Sequence, residues 1–346
     1  MSIDDLLSKS RDGGTFTHAE LVRMLSCPPE SSQSMEIMSE ARRISEETTD
    51  GKAEVHGQFA LDLAPCSCNC EWCSFAARNE IFEEGWQISP EEAVDYALHF
   101  EDEGANAILT MTTTDYPLSK MLDIAREIRR NISPDIPLIA NTGDKSEKQA
   151  QKMEDAGYDG VYHALRLDEG KRNVLKPEKR LETIRNLQNA GLTICTCVEP
   201  VGPEHTNDEL ARMIALTATI TPAFSGAARR IPIPNTSLAG KGMISELRMA
   251  QIVAVTRLAM PRSTRGNCTH EPCTLGAIGG ASIFWAELGA NPRDNQENTE
   301  ENRGDDVGEC QDIYWESGWE VLEGPSKHFT EAPTPTPPDT SYLASF

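Results

Sequence analysis

The sequence predicts an α/β protein built as a full or partial (βα) TIM-like barrel of parallel strands, with a helical N-terminal preface and a disordered C-terminal tail. Three observations carry this. The chain has 346 residues, enough for one barrel-sized domain. Short apolar runs alternate with amphipathic helical stretches from about residue 57 onward, the pattern of a parallel sheet. Glycines at 104, 157 and 191 stand where helix C-termini need a left-handed residue.

Residues 1–50 read as the preface. Thr17-His-Ala-Glu20 is a capping box ahead of a short apolar helix, and Met35 to Glu47 continues with helix formers. The barrel is expected over 51–293. Its first strand is Gln58 to Leu63, followed by a helix opened by Ser89-Pro90-Glu-Glu92, which combines an N-cap, a proline at N1 and a capping glutamate. Later strand candidates are 106–111, 137–141, 160–165, 192–198, 229–233 and 263–267. Residues 294–330 turn polar and acidic, an extension. The Pro/Thr-rich stretch 331–346 lacks apolar area to bury and is expected to be extended.

With 55 acidic against 32 basic residues and a formal charge of -23, the chain offers no basic stripe for a phosphate backbone, so nucleic acid is not expected as a partner. High acidity fits solubility in a salty cytoplasm, or a basic partner. The N-terminus lacks the basic and apolar regions of a secretory signal, and no run approaches the roughly 18 apolar residues of a membrane span. The expectation is a cytoplasmic protein without membrane association, and in a reducing compartment the ten cysteines suit metal ligation better than disulfides.

Cys66-Ser-Cys-Asn-Cys70-Glu-Trp-Cys73 places Cys66, Cys70 and Cys73 at C-x3-C-x2-C spacing, just after the first strand. Three thiolates on one tight loop can bind three irons of a cubane and leave the fourth open. A zinc knuckle or an electron-transfer cluster is the alternative, although zinc sites of this size usually add a second ligand pair. Cys68 breaks the spacing and reads as a spectator.

With Trp72 before the last cysteine, this motif resembles the signature of the radical S-adenosylmethionine (SAM) superfamily. The resemblance extends over roughly 50–290 and is nearest to the biotin synthase-like group, which includes lipoyl synthase, hydrogenase-cofactor maturases and methylornithine synthase. It implies a [4Fe-4S] cluster on Cys66, Cys70 and Cys73 and SAM on the open iron, cleaved to a 5′-deoxyadenosyl radical that takes hydrogen from substrate. It also implies a low-potential electron donor and a small-molecule or carrier-bound substrate. An acidic ferredoxin or flavodoxin would be repelled unless salt screens the charge.

Several residues carry implied roles. Arg166 and Asp168, in Tyr162-His-Ala-Leu-Arg-Leu-Asp168, resemble the pair that holds the SAM amino acid and ribose. Arg180 resembles the arginine that pairs with the SAM carboxylate, a role suited to a guanidinium fork. The plain alternatives are a structural pair of Arg166 with Asp168 or Glu169, and an exposed helix position for Arg180. The family's Gly-Gly-Glu segment is missing where Thr110 to Thr114 stands, so contacts to the SAM amino group fall to Thr112, Asn141 or backbone carbonyls. Ile231-Pro-Ile-Pro234 resembles a late strand end that walls the substrate cavity.

Cys195 and Cys197 share one face of a strand candidate by the period of two, and Cys268 and Cys273 follow another. Together they form a candidate second iron-sulfur site, with inert core thiols as the other reading. Cys195 matches a biotin synthase ligand to its auxiliary cluster, whereas the other two cysteine positions of that cluster fall on Met111 or Thr112 and Ala140 or Asn141. His270 and Glu271 are candidates for substrate or cluster contact, and Cys27 and Cys310 take no role. Sulfur insertion, as in lipoyl and biotin synthases, is the expected reaction. Radical methylation, fragmentation or carbon-skeleton rearrangement without a second cluster is the alternative, and a non-catalytic iron-sulfur electron carrier is the reading from another class.

Overall fold

The computed structural model describes all residues except 64, 83, 331, 332, 335, 337 and 340–346. The strands in chain order are β1 (Lys52–Ala60), β2 (Asp62–Leu63), β3 (Trp86–Gln87), β4 (Ala107–Met111), β5 (Leu138–Asn141), β6 (Gly160–Tyr162), β7 (Thr193–Cys195), β8 (Val198–Val201), β9 (Phe224–Arg229), β10 (Gly266–Cys268), β11 (Ile283–Leu288) and β12 (Glu320–Val321). All pairings in the main sheet are parallel. They run β1–β4–β5–β6–β7–β9–β10–β11 and return to β1, so eight strands form a ring, with β8 continuing beside β9. The short antiparallel pair β2–β3 brackets the cysteine loop.

Two apolar layers follow from strand alternation. Side chains such as Leu109, Ile139, Tyr162, Cys195, Phe224 and Trp285 fill the inside of the ring. Leu138, Val161, Ile194 and Ala227 point outward to the helices, including Pro90–Asp102, Leu118–Asn131, Pro177–Asn189, Asn207–Ile220 and Glu246–Ala259. Gly104, Gly157 and Gly191 have φ of +85°, +99° and +85°, the left-handed values expected past helix ends. The preface forms three helices, Ile3–Arg11, His18–Leu25 and Ser32–Thr48. The Thr17/Glu20 capping box is made, and Gln251 and Arg248 on the helix Glu246–Ala259 donate to the carbonyls of Cys27 and Leu25.

Four differences from the expected strands have physical causes. β1 begins six residues earlier than the apolar run, because Glu54 and His56 pair with each other at 2.9 Å inside the ring. The run 192–198 breaks after Cys195 and resumes as β8, with a register shift against β9. β9 lies at 224–229 rather than 229–233, since the prolines at 232 and 234 lack the N–H that a ladder requires. The strand at 283–288 was absent from the expected set, its apolar run merging with the preceding Ala-Gly-rich segment.

The acidic extension is also more structured than its composition implies. It forms the helix Val307–Glu316 and β12, which pairs with β1, while Asn106 Nδ2 donates to the carbonyls of Leu322 and Gly324. Lys327–Thr330 then closes the N-terminal mouth of the barrel, where Lys327 N–H donates to Glu54 and the His328 ring is buried. Most of the expected tail lies outside the described residues. The described Thr336 and Pro338 accept hydrogen bonds at their carbonyls from Gln188 and Arg185.

Burial, reinforced by His56 and the cations of Arg265 and Arg257, pushes the His328 imidazole down from 6.5 to about 4 against the opposing pull of Glu54. The unfolded chain therefore binds a proton between these values that the folded chain does not. This contribution to stability is complete above about pH 6.5 and is lost as pH falls toward 4. His328→Leu is expected to flatten that part of the urea-midpoint profile; an unchanged slope would show that other groups govern it.

Candidate active site

Parallel strands put all their C-terminal ends on one rim, and a large cavity opens there, about 1240 Å3 including its mouth. The cysteine loop forms one wall. It is held by main-chain bonds from Cys66 N–H to the Phe75 carbonyl and from Cys73 N–H to the Cys70 carbonyl. Asn79 donates to the carbonyls of Cys70 and Cys73 at 3.2 and 2.8 Å, and Asp115 accepts from the Ser67 amide and hydroxyl, both at 2.7 Å. Asn69 takes a left-handed φ of 53° at the loop tip, where its side chain accepts from the Arg78 amide. Cys66, Cys68, Cys70 and Cys73 all face the cavity, beside Trp72 and Phe75.

A hydrogen bond from Cys68 holds the Cys66 thiol down at about 7 in spite of burial, and the same bond raises Cys68. Burial pushes Cys70 up to about 11 against the nearby Arg166 cation, and pushes Cys73 up further, with Cys70 and Cys66 adding. Three neighbouring thiols that repel each other as thiolates suit a bound cationic centre, which deprotonates its ligands outright. Asn173 Nδ2 donates to Cys70 Sγ at 3.6 Å, a contact of the kind that tunes iron-sulfur clusters. This donor set fits a [4Fe-4S] cluster on Cys66, Cys70 and Cys73.

The other expected residues separate into those at the cavity and those behind it. Thr112 and Asn141 line it; Thr112 Oγ1 donates to Thr142 Oγ1 at 2.8 Å, and Thr112 N–H to the Asn141 carbonyl. Arg166 also lines it and donates through Nε to Glu199 at 3.1 Å, its one side-chain hydrogen bond among the described residues. Arg180 reaches the cavity wall, but its donors are engaged with the Ala164 carbonyl and Asp144. Its fork is therefore not free. Asp168, at φ 60°, does not pair with Arg166: it accepts from Arg172 at 2.9 Å and faces His205 at 3.3 Å. Arg172 in turn bonds Glu71, next to Cys70, so Asp168 braces the cysteine loop from behind.

The expected group of four later cysteines is not assembled. Cys195, Cys197 and Cys268 are buried inside the ring, with the sulfurs of Cys197 and Cys268 3.9 Å apart. Cys273 stands apart as the N-cap of the helix Thr274–Ile278, its sulfur accepting from the Gly276 amide at 3.3 Å. A cap role follows from its place just before a helix start. Burial raises the Cys268 thiol, but the contact with Cys197 and the nearby His270 ring outweigh it and bring it down to about 6.

Sequence reasoning missed Glu199, which accepts from Tyr162 Oη at 2.9 Å and from Arg166. The signal was present, since 195, 197 and 199 share the inward face by alternation. It also missed Arg229, Arg230 and Arg293, which line the cavity; the segment before Arg293 packs on the cysteine loop, where the Ser74 amide donates to the Pro292 carbonyl. Their carboxylate partners stand behind them: Glu271 and Glu246 for Arg229, Glu204 for Arg230, Glu271 and Glu287 for Arg293. Glu271 is thus an ion-pair partner, whereas His270 lines the cavity itself.

An arginine-lined cavity at the strand ends of a parallel barrel, with three clustered cysteines in its wall, suits an iron-sulfur centre beside a small organic molecule. The radical SAM superfamily model matches residues 65–217. Biotin synthase of Anaplasma marginale is 27% identical over 270 residues, covering 71% of this chain and 82% of that protein. Biotin synthase of Dechloromonas aromatica is 26% identical over 241 residues, covering 66% and 72%. Among solved structures, methylornithine synthase (PylB) shares the fold at TM-score 0.78 and 16% identity, covering 93% of this chain and 98% of that one. The FeFe-hydrogenase maturase HydG of Carboxydothermus hydrogenoformans does so at 0.76 and 19%, covering 94% and 81%. The chain carries a radical SAM domain and is a radical SAM enzyme similar to biotin synthases; enzymes of that superfamily use a [4Fe-4S] cluster and SAM, a reductant and small-molecule substrates. No described helix is long and apolar enough to cross a membrane.

Gly226 lets the rim close: a Cβ there would lie 1.9 Å from the Cys268 carbonyl oxygen. Gly226→Ala is expected to lower stability by about 2 kcal/mol or more, read as a fall in the urea midpoint. A midpoint equal to that of the unaltered protein would contradict this packing.

Proposed function

We propose that this enzyme abstracts a hydrogen atom from a small carboxylate-bearing molecule. The observation that carries the reading is electrostatic: five arginines (166, 180, 229, 230 and 293) and one glutamate (Glu199) line the cavity of a chain whose formal charge is -23. Carboxylates back these guanidinium groups, but Arg166 bonds only through Nε among the described residues, which leaves its terminal nitrogens to take an anionic group.

In this reading Cys66, Cys70 and Cys73 hold the cluster, and Trp72 packs beside it. The cluster and SAM together supply a 5′-deoxyadenosyl radical when bound. The terminal nitrogens of Arg166, held in place by the Nε bond to Glu199, receive the SAM carboxylate. Thr112 and Asn141 accept from its amino group. Arg180 is a positioning residue that fixes the Ala164 carbonyl and Asp144, and Asp168 positions the cysteine loop through Arg172 and Glu71. Arg229 and Arg293, which share Glu271, orient the substrate carboxylate, while Phe75, Met111, Ile231 and Ile233 exclude water from the reacting carbon. Expected surroundings are cytoplasmic, with a low-potential reductant and no nucleic acid.

Two outcomes of hydrogen abstraction are in view. The biotin synthase relatives favour sulfur insertion, for which Cys195, Cys197 and Cys268 are the thiols at hand. The dispersal of the fourth cysteine, Cys273, favours a rearrangement, fragmentation or methylation that needs no sulfur donor. A sulfur-containing product would distinguish the first.

The test is anaerobic. Reconstituted protein given dithionite and SAM is expected to release 5′-deoxyadenosine, detected by mass spectrometry, and Cys70→Ala to reduce it by at least about a hundredfold, as loss of a cluster ligand should. Wild-type protein with a complete cluster and no 5′-deoxyadenosine would sink the proposal and favour an electron carrier.

A further inference from the structure

Cys197, Cys268 and His270 form a second group of metal-ligating side chains that the SAM reading does not use. One donor atom from each lies within 4.8 Å of the other two. The residues are 1%, 0% and 7% exposed, and among the described residues His270 Nε2 has no hydrogen-bond partner. A buried ring nitrogen left without a partner costs free energy unless something occupies it.

The sulfur separation is informative. Two thiolates on one tetrahedral ion, each at about 2.3 Å, stand about 3.8 Å apart; Cys197 Sγ and Cys268 Sγ are 3.9 Å apart. Thiolates on different irons of a cluster stand farther from each other, because the iron–iron separation adds to the two metal–sulfur bonds. The spacing therefore suits two thiolates on one metal atom, and the group of three donors is enough for a single ion but not for the second iron of a [2Fe-2S] cluster, which needs two further ligands.

The backbone builds this geometry. Cys197 follows β7 and Cys268 ends β10, the two strands that flank the start of β9. Gly226 between them carries no side chain, which lets the Cys268 main chain approach β9 closely. His270 lies two residues past Cys268, on the cavity wall, whereas Cys197 and Cys268 lie behind it. Glu199 Oε2 is 3.9 Å from His270 Nε2 on the same wall.

We propose that Cys197, Cys268 and His270 bind a single divalent transition-metal ion, with zinc the ion this sulfur and nitrogen set favours, and that its fourth position opens on the cavity. Two cysteines and a histidine with an open fourth position is a donor set suited to holding a substrate oxygen, nitrogen or sulfur. The site lies across the cavity from the SAM cysteines, and its existence does not depend on the SAM reading. A metal there would anchor one end of a substrate.

Full-length protein, purified anaerobically, reconstituted and incubated with one equivalent of zinc, tests this through metal content and zinc-edge X-ray absorption. The expected result is about one zinc per chain beside about four irons, with two sulfur neighbours at about 2.3 Å and nitrogen or oxygen completing the set. Cys268→Ala and His270→Ala are each expected to cut bound zinc at least tenfold while the four irons remain. One additional iron in place of zinc, lost in the same variants, supports a single-ion site equally. Loss of the four irons in Cys268→Ala would mark misfolding, and the cavity-wall variant His270→Ala then decides. Zinc that stays in a folded His270→Ala, or no metal beyond the four irons in the wild type, overturns the proposal. Two or more added irons with matching sulfide also overturn it, in favour of a second cluster.

Discussion

Closure of the strand ring at β9 and β10 is the constraint on which the rest of the site depends. The pairs Gly266 with Phe224 and Cys268 with Gly226 join the late strands to the middle of the chain, and β11 then returns the sheet to β1. Without them, His270 and Arg293 would not share one cavity with the cysteine loop. The contact tolerates no side chain at Gly226, and the short residues around it, Ser225, Ala227 and Ala228, give the chain its close approach.

On that frame, charge is arranged in pairs with one end at the cavity and the other behind it. Arg229, Arg230 and Arg293 each face the cavity and are backed by carboxylates, which hold the guanidinium groups in place. Glu199 ties Arg166 to Tyr162 and so fixes the side of the cavity between the cysteine loop and the buried thiols. Paired in this way, the arginines stay oriented before any ligand arrives, a condition for efficient positioning.

Much of the architecture was legible because helix caps and glycine stops are local. The Thr17 box, the Ser89-Pro90 start and Gly104, Gly157 and Gly191 all fall where expected. The cysteine loop was legible for the same reason, since its spacing is its geometry. Strand ends were harder: Glu54 and His56 look polar in sequence and become inward-facing only when the ring encloses them. Pairing choices were not legible at all. Arg166 and Asp168, two apart, were read as a unit, but the left-handed turn at Asp168 sends its carboxylate to Arg172 and His205 instead. Cys273 likewise had the right residue type and the wrong neighbourhood, because a five-residue helix claims its sulfur.

The central claim is that the cavity places SAM on an iron held by Cys66, Cys70 and Cys73. Electron paramagnetic resonance of the dithionite-reduced protein, recorded with and without SAM, tests it most directly. A reduced [4Fe-4S] signal whose shape changes on adding SAM, and that disappears in Cys70→Ala, is the result expected. A signal indifferent to SAM would mean that the fourth iron is closed and would contradict the account.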